Sequence, residues 1–219
     1  MSKLTLIIGN KNYSSWSLRP WLFLRHHNIE FSEKRVPLFE ETTERELAQY
    51  DSDFKVPVLK DGDLIVWDSL SILEYLSETC LAGSGWPEKP GARSIARSVS
   101  AEMHSSYINL RNELPMNCRR RFDSITLSKD AQREVERVKA LWRRCRREFG
   151  GEGEWLFGDF SIADAMFAPV AVRFSGYNIE LGDIEAAYTQ SVLKHPGMID
   201  WIEAGKQETE IIESEEINI

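Results

Sequence analysis

At the start of the chain, apolar and polar positions follow the pattern of a strand, a helix and a second strand. Residues 4–8 form an apolar run rich in β-branched side chains, which predicts a strand. Residues 10–21 have the composition of a strand-to-helix turn, and the helix that follows extends to about residue 28. Residues 29–38 alternate between apolar and polar side chains and predict a second strand, parallel to the first.

The next segment has the pattern of a β-hairpin followed by a helix. Asp61-Gly62 separates two apolar runs, and this dipeptide is a strong signal for a tight turn between antiparallel strands. Asp68 and Ser69 are favourable capping residues in front of a helix with one apolar face. The order β-α-β and then β-β-α predicts a thioredoxin-like α/β domain over residues 1–81.

The remainder of the chain is predicted to be an all-α helical domain. Residues 82–91 are rich in Gly, Ser and Pro and predict a linker, which leaves residues 92–219 for the second domain. Ser161 and Asp164 are spaced as a capping box at the start of a helix that is apolar almost all round. Helices are expected over residues 92–117, 131–149 and 161–174 and near 184–193 and 197–206, before an acidic tail, 208–219, that we expect to fray.

Composition and charge narrow the classes of function. A net charge of -8 and a pI near 5.2 disfavour binding to nucleic acid or to an anionic membrane surface. No apolar run approaches the roughly 18 residues of a membrane span, so a cytoplasmic protein is expected. The three cysteines, Cys80, Cys118 and Cys145, are widely spaced, which argues against disulfides and against a thiolate metal site.

Two features could carry chemistry, and each has a purely structural alternative. Ser14 and Ser15 lie where the unpaired N–H groups of a helix start would favour an anion, but serines in that position are also ordinary N-caps. Pro57 stands at the beginning of the third predicted strand. It either opens that strand in the trans form or adopts the cis form and turns its neighbour's backbone towards a ligand.

Four motifs in order give the chain a resemblance to the glutathione transferase superfamily over almost its whole length. They are Ser14-Ser15-Trp16-Ser17-Leu18-Arg19, Val56-Pro57-Val58, Asp68-Ser69, and Gly158-Asp159-x-Ser161-x-Ala163-Asp164. The resemblance implies a thioredoxin-like domain that binds glutathione, a helical C-terminal domain, and a homodimer.

The resemblance also implies roles for individual residues around glutathione. Pro57 would be cis, and the backbone of Val56 would pair with the cysteinyl backbone. Ser69 and its helix N-terminus would take the γ-glutamyl carboxylate, and Asp68 would take the ammonium group. Lys55 would reach the glycyl carboxylate or else extend into solvent.

The group beside the glutathione sulfur is expected to be a hydroxyl. The spacing between Ser14 and Arg19 matches the spacing from catalytic serine to arginine in zeta-like relatives, which favours Ser14, with Ser15 next. A shifted alignment places Asn12 at this position instead. Since the turn has no Cys, thiol exchange through the protein itself is not expected.

Residues 102–117 resemble a signature of a little-characterised bacterial branch of the superfamily. On one helix, His104, Tyr107 and Arg111 would share a face and could line the pocket for an electrophile. The alternative is that His104 and Arg111 serve the interdomain or dimer interface. Two arginine-rich stretches, residues 119–121 and 143–147, are interpreted as helix faces paired with nearby Glu, with an anionic partner as the alternative.

The leading hypothesis is a cytoplasmic, homodimeric glutathione transferase that uses glutathione and an electrophilic small molecule and needs no metal. One alternative is a non-catalytic protein of the same fold that acts through a protein partner. The other is a zeta-like glutathione-dependent cis-trans isomerase of a maleyl-type diacid, in which Arg111 or another arginine near the cleft would bind the second carboxylate.

Overall fold

A four-stranded sheet with the strand order β2-β1-β3-β4 forms the first part of the computed structural model, which describes residues 4–217. The strands are β1 (Thr5–Ile8), β2 (Ser32–Arg35), β3 (Val58–Asp61) and β4 (Leu64–Trp67). β1 is parallel to β2 and antiparallel to β3, and β3 forms a hairpin with β4. The predicted pairing is confirmed, although β2 is shorter than its alternating pattern indicated.

Helices pack on this sheet and form the whole of the second part. They are α1 (Ser15–His26), α2 (Thr43–Leu47), α3 (Ser69–Leu81), α4 (Pro90–Ser105), α5 (Ile108–Glu113), α6 (Lys129–Phe149), α7 (Ile162–Gly176), α8 (Asp183–Lys194) and α9 (Pro196–Gln207), with short 3₁₀ turns at Ala48–Tyr50 and Glu213–Glu215. The predicted fold class, a thioredoxin-like α/β layout followed by a helical bundle, is confirmed. None of the helices within residues 4–217 has the length and apolarity that a bilayer crossing requires.

The single helix predicted over residues 92–117 is wrong, because the chain breaks between α4 and α5. Tyr107 lies in the left-handed region with φ 63°, and its hydroxyl donates to Glu102 of the preceding turn. Glu134 of α6 accepts the Leu110 N–H at 2.7 Å and so satisfies a backbone donor at the new helix start. The apolar periodicity of the sequence continues through residue 107, so it gave no sign of the break. The break depends on the contact with α6, which only the structure shows.

Helix α7 is the centre of a core that both parts share. All its residues except Ser175 are buried, and it packs against α1 and α4. The capping box is confirmed: the Asp164 carboxylate accepts the Ser161 N–H at 2.8 Å and also the Leu156 N–H at 3.0 Å. Gly85, in the segment before α4, accepts the Ile162 N–H at 2.9 Å, so this segment is fastened to the start of α7.

The acidic tail was expected to fray, and this prediction is wrong for the residues described. Residues 208–217, here named the C-terminal strap, lie across the loop that leads into α1. Glu208 accepts the N–H groups of Lys11 and Asn12 at 2.8 and 3.0 Å. Glu216 accepts the Tyr13 hydroxyl at 2.6 Å and forms an ion pair with Arg120 at 3.0 Å. Residues 218–219 lie outside the described part of the chain.

The arginine-rich stretches have internal partners. Arg119 donates to the backbone carbonyls of Glu208 and Glu210, so the first stretch holds the C-terminal strap. In α6, Arg143 pairs with the buried Glu185, and Arg144 lies 3.2 Å from Glu148 one turn away. Pairing with nearby acidic groups on a helix face, the interpretation favoured from the sequence, is confirmed for Arg143 and Arg144. For residues 119–121 the helix face is wrong, because this stretch lies between α5 and α6 and Arg119 bonds to the backbone of the strap.

Candidate functional site

A cavity of about 1160 Å³ lies between the sheet domain and the helical part of the molecule. We divide its lining into an N-terminal wall, made of Ser14, Val56, Pro57, Asp68 and Ser69, and a C-terminal wall, made of His104, Arg111, Arg173, Ile212 and Glu215. Pockets for one drug-sized ligand usually measure about 300–1,000 Å³, so the volume is sufficient for two small substrates side by side.

Ser14 occupies the N-cap position of α1, but its side chain does not cap the helix. Its hydroxyl instead donates to the hydroxyl of Ser17 at 2.8 Å, and Ser17 also accepts the buried Gly9 N–H at 3.1 Å. The Ser14 proton therefore points at Ser17 in this structure, and rotation of the hydroxyl can turn it towards an acceptor in the cavity. Ser17 thus positions the predicted catalytic hydroxyl at the cavity wall.

The other two candidates for the sulfur contact have different surroundings. Ser15 also lines the cavity, and its hydroxyl accepts a hydrogen bond from Arg173 at 3.3 Å. Asn12 is buried outside the lining, where its side-chain oxygen accepts the N–H groups of Cys118 and Arg119. The structure therefore brings the two serines to the cavity and uses Asn12 to join the α1 loop to the second domain.

The Val56–Pro57 peptide bond is cis, in agreement with the expectation from the family resemblance. Both residues line the cavity, and pairing of β3 with its neighbours starts only at Val58. The backbone of Val56 is therefore not used by the β-ladder. Lys55 also reaches the lining, and its exposed ammonium group pairs with Asp53.

Asp68 and Ser69 meet the cavity at the start of α3. One Asp68 oxygen, Oδ1, accepts the N–H groups of Leu70 and Ser71, while Oδ2 lies 2.5 Å from Nε2 of His104. Two N–H groups of the helix start are thus already engaged by Asp68. The buried hydroxyl of Ser69, which accepts a hydrogen bond from Arg19 at 3.3 Å, is the polar group that α3 offers to a ligand.

Trp16 joins the two walls, and the sequence analysis did not assign it a role. The guanidinium carbon of Arg19 lies 4.0 Å from the Trp16 ring centroid, and that of Arg111 lies 5.4 Å away. His104 meets the same ring edge-on at 5.5 Å between centroids. Stacking on an aromatic face stabilises a guanidinium group and leaves its N–H groups available for other partners.

Arg173 is the second residue that the sequence analysis missed. It is buried in α7 and donates to two neutral acceptors, the Leu114 carbonyl at 2.7 Å and the Ser15 hydroxyl at 3.3 Å. The available signal was an arginine in a helix whose residues after the capping Asp164 are nearly all apolar, since charged residues are almost never fully buried unless paired.

Burial makes the positive charges of Arg19, Arg111 and Arg173 electrostatically costly. Burial, with repulsion from Arg173 and Arg111, lowers the pKa of Arg19 to about 9. Burial also lowers the pKa of Arg173 to about 10 and lowers the pKa of Arg111. A depressed arginine pKa means that the surroundings disfavour the charged form, so a bound anion would relieve the repulsion.

Tyr107 does not belong with His104 and Arg111. Because the helix breaks at this residue, its ring is buried against Glu102 and is absent from the cavity lining. Burial and the Glu102 carboxylate raise the pKa of the Tyr107 phenol above its ordinary range. Within residues 4–217, no group of three or more His, Cys, Asp or Glu side chains is placed to hold a metal ion.

Family models place both halves of the chain in one family. The model described as "Glutathione S-transferase, N-terminal domain" matches residues 13–79, and "Glutathione S-transferase, C-terminal domain" matches residues 129–204. The first match contains Ser14, Val56, Pro57, Asp68 and Ser69, and the second contains Arg173 and the capping box. The chain therefore belongs to the glutathione S-transferase superfamily and is an enzyme of that type.

Individual relatives are distant in sequence but similar in fold. A probable maleylacetoacetate isomerase from Caenorhabditis elegans is 27% identical over 169 residues, which cover 76% of this chain and 77% of that protein. A glutathione transferase homologue from Burkholderia, crystallised with glutathione, matches with a TM-score of 0.70 at 20% identity, over 94% of this chain and 100% of that one. A diazinon-metabolizing glutathione S-transferase from the silkworm Bombyx mori gives a TM-score of 0.72 at 17% identity, over 94% and 98%.

Proposed function

We propose that the chain binds glutathione against the N-terminal wall and activates its thiol with Ser14 for attack on an electrophilic small molecule. The observation that carries the proposal is the convergence of Ser14, Val56 and Ser69 on one cavity from three separate segments of the chain. The glutathione-bound homologue from Burkholderia, which shares this fold, adds support.

Each part of the tripeptide has a matching group in this wall. The free backbone of Val56 pairs with the cysteinyl backbone, and Ser69, supported by the charge of Arg19, takes the γ-glutamyl carboxylate. Asp68 takes the γ-glutamyl ammonium in competition with His104. Lys55 exchanges its exposed contact with Asp53 for the glycyl carboxylate.

Ser14 would lower the pKa of the thiol by donating to the thiolate. A free thiol titrates near 8.5, and a shift of two units requires about 2.7 kcal/mol of preferential thiolate stabilisation. A hydrogen bond to a charged acceptor contributes about 1.5–3 kcal/mol, and the start of α1 adds about 0.3–1 kcal/mol. The thiolate then attacks an electrophile held against the C-terminal wall.

Calorimetry with glutathione, followed by a conjugation assay with 1-chloro-2,4-dinitrobenzene and a panel of other electrophiles, tests this proposal. Binding is expected for the unmodified protein and weakened about tenfold in Ser69→Ala, which loses one hydrogen bond to a carboxylate. Ser71→Ala, two residues further along α3 at an exposed position, is the matched control. Absence of binding at millimolar glutathione contradicts the proposal, and binding without turnover on any electrophile favours the non-catalytic alternative.

A second candidate reaction is the glutathione-dependent cis-trans isomerisation of an unsaturated diacid. Arg111 and Arg173 line the C-terminal wall, where either could bind a second carboxylate, and the relative from Caenorhabditis elegans is a probable maleylacetoacetate isomerase. The thiolate would add to one alkene carbon, the new single bond would rotate, and elimination would restore the double bond and release glutathione. A coupled assay with maleylacetoacetate that returns no glutathione-dependent turnover removes this candidate.

We also propose that the protein is a homodimer in the cytoplasm. β4 is an edge strand, and the large apolar side chain at its start, Leu64, is 49% exposed. Exposed apolar side chains on an edge strand are commonly covered in an assembly. Sedimentation analysis that finds a monomer at micromolar concentration contradicts the dimer.

A further inference from the structure

The C-terminal strap supplies part of the wall against which the second substrate would bind. Ile212 and Glu215 both line the cavity, and Ile212 is buried there. Glu216, the next residue, is held by the Tyr13 hydroxyl and by Asn117 at 2.9 Å. The position of Glu215 is thus set by an anchored neighbour and is not that of a free chain end.

Glu215 and Arg173 are opposite charges on the same wall. The hydrogen bonds of Arg173 go to neutral oxygens of Leu114 and Ser15, so its charge is balanced only through space. Glu215 is the first acidic group among the charges that act on Arg173. Burial raises the pKa of Glu215, and Arg173 opposes that shift through space, as expected for a partly buried carboxylate that shares a cavity wall with a guanidinium group.

The contact between Ser15 and Arg173 places this pair beside the predicted sulfur site. Ser14 and Ser15 are neighbours in the chain, both line the cavity, and Ser15 is bonded to Arg173 at 3.3 Å. A substituent on a sulfur atom held by Ser14 would therefore extend towards Arg173 and Glu215.

We propose that Glu215 is a specificity-determining residue, which occupies the place beside Arg173 that the carboxylate of an anionic second substrate would take. The inference rests on the proposed binding of glutathione and deepens it. The charge of Glu215 partly offsets that of Arg173 through space, so the cavity favours uncharged electrophiles. An anionic electrophile has to compete with Glu215 for the same guanidinium group, and its like charge is repelled by the carboxylate.

A pair of glutathione conjugates tests the inference by calorimetry. S-(carboxymethyl)glutathione carries a carboxylate on the sulfur substituent, and S-propylglutathione carries an uncharged group. In Glu215→Gln, which keeps the size of the side chain, we expect the affinity for the carboxymethyl conjugate to rise about five- to tenfold and that for the propyl conjugate to change less than about twofold. Glu213→Gln removes the same charge from the same 3₁₀ turn at an exposed position outside the lining, and should change neither affinity.

A double-mutant cycle separates the pairwise effect from a general change in charge. In an Arg173→Gln background, Glu215→Gln should no longer increase the preference for the carboxymethyl conjugate, because the competing guanidinium is absent. An unchanged preference in Glu215→Gln, or an equal change in Glu213→Gln, overturns the inference while leaving glutathione binding intact. If neither conjugate binds the unmodified protein, the proposed function fails and the inference fails with it.

Discussion

The two walls of the cavity are built by different means. The N-terminal wall consists of hydroxyls and backbone groups from three turns of the sheet domain, at Ser14, Val56 and Asp68-Ser69. The C-terminal wall carries, besides His104 and Ile212, guanidinium groups on α5 and α7 and a carboxylate on the strap. On the proposed function, the first wall would suit one constant ligand with several matching groups, whereas we expect the second wall to select its ligand chiefly by charge. The following predictions test that division, from the largest expected effect to the smallest.

Ser14→Ala should cause the largest loss, because it removes the hydroxyl proposed to stabilise the thiolate. We expect kcat/KM for glutathione conjugation to fall about 30- to 100-fold, which corresponds to about 2–2.7 kcal/mol. The pKa of bound glutathione, followed by thiolate absorbance near 240 nm, should rise towards that of the free thiol. Ser15→Ala should cost much less, and the double variant should resemble Ser14→Ala. Turnover that survives both single changes and the double change would remove Ser14 and Ser15 as thiol activators.

Ser17→Ala should reproduce part of the activity loss expected for Ser14→Ala, although Ser17 is not part of the cavity lining. The buried Gly9 N–H would lose its acceptor and Ser14 would lose its neighbour, so we expect about a tenfold loss of kcat/KM and a loss of stability of about 1–2 kcal/mol. Ser17→Thr keeps the hydroxyl and should restore the pKa of bound glutathione. If that pKa is the same in Ser17→Ala as in the unmodified protein, Ser17 has a purely structural role.

Arg111→Met should affect the C-terminal wall alone. Methionine retains contact with the Trp16 ring but removes the charge, so affinity for S-(carboxymethyl)glutathione should fall about fivefold while affinity for S-propylglutathione stays within about twofold. Arg111→Lys keeps the charge and should lose less. An equal loss for the two conjugates would show that Arg111 serves packing and that the walls are not divided by charge.

Low pH should lower the stability of the fold through the histidine cluster of His26, His27 and His195, which lies outside the cavity lining. Burial, with the neighbouring His27 and His195, lowers the pKa of His26 to about 4, so the folded chain keeps this ring neutral. The unfolded chain binds more protons below its ordinary pKa near 6.5, and stability therefore falls as the pH drops from about 6.5 towards 4. With allowance for the half-exposed ring, we expect a loss of about 1 kcal/mol, or about 2–4 °C in Tm between pH 7 and pH 5.

His26→Gln should show a smaller difference in Tm over the same pH range, because the titrating ring is gone while a polar group remains near His195. At pH 7, the relative affinity for the two glutathione conjugates should be unchanged, since the cluster lies outside the cavity lining. An identical pH dependence of Tm in the two proteins would assign the acid effect to other groups.

The N-terminal wall could be predicted from the sequence because its parts are local. Asp61-Gly62 defines the hairpin, Asp68 caps the helix next to it in the chain, and Ser14 follows the first strand at a helix start. Turn and capping rules operate over a few residues, so they remain valid without knowledge of the rest of the fold.

The C-terminal wall could be predicted only in part: His104 and Arg111 line the cavity as expected, but the break at Tyr107 and the strap were not foreseen. Periodicity through Tyr107 indicated one continuous helix, but Glu134 on α6 provides the acceptor at the start of α5. An acidic tail suggested fraying, but Arg119 and Arg120 hold it by contacts about a hundred positions away in the chain. Contacts between residues so far apart in the chain leave no recognisable pattern in the local sequence around either residue.

By itself, the sequence determined the fold class, the strand pairing and the family, because each depends on short motifs in a definite order. It also indicated Ser14, Val56, Pro57, Asp68 and Ser69 as candidate site residues. Only the tertiary structure decided that Asn12 and Tyr107 lie outside the cavity lining, that Ser17 positions Ser14, and that Arg173 and Glu215 both line the cavity. Burial and electrostatic balance are properties of neighbours in space, and α7 and the strap become neighbours of α1 only when the chain has folded.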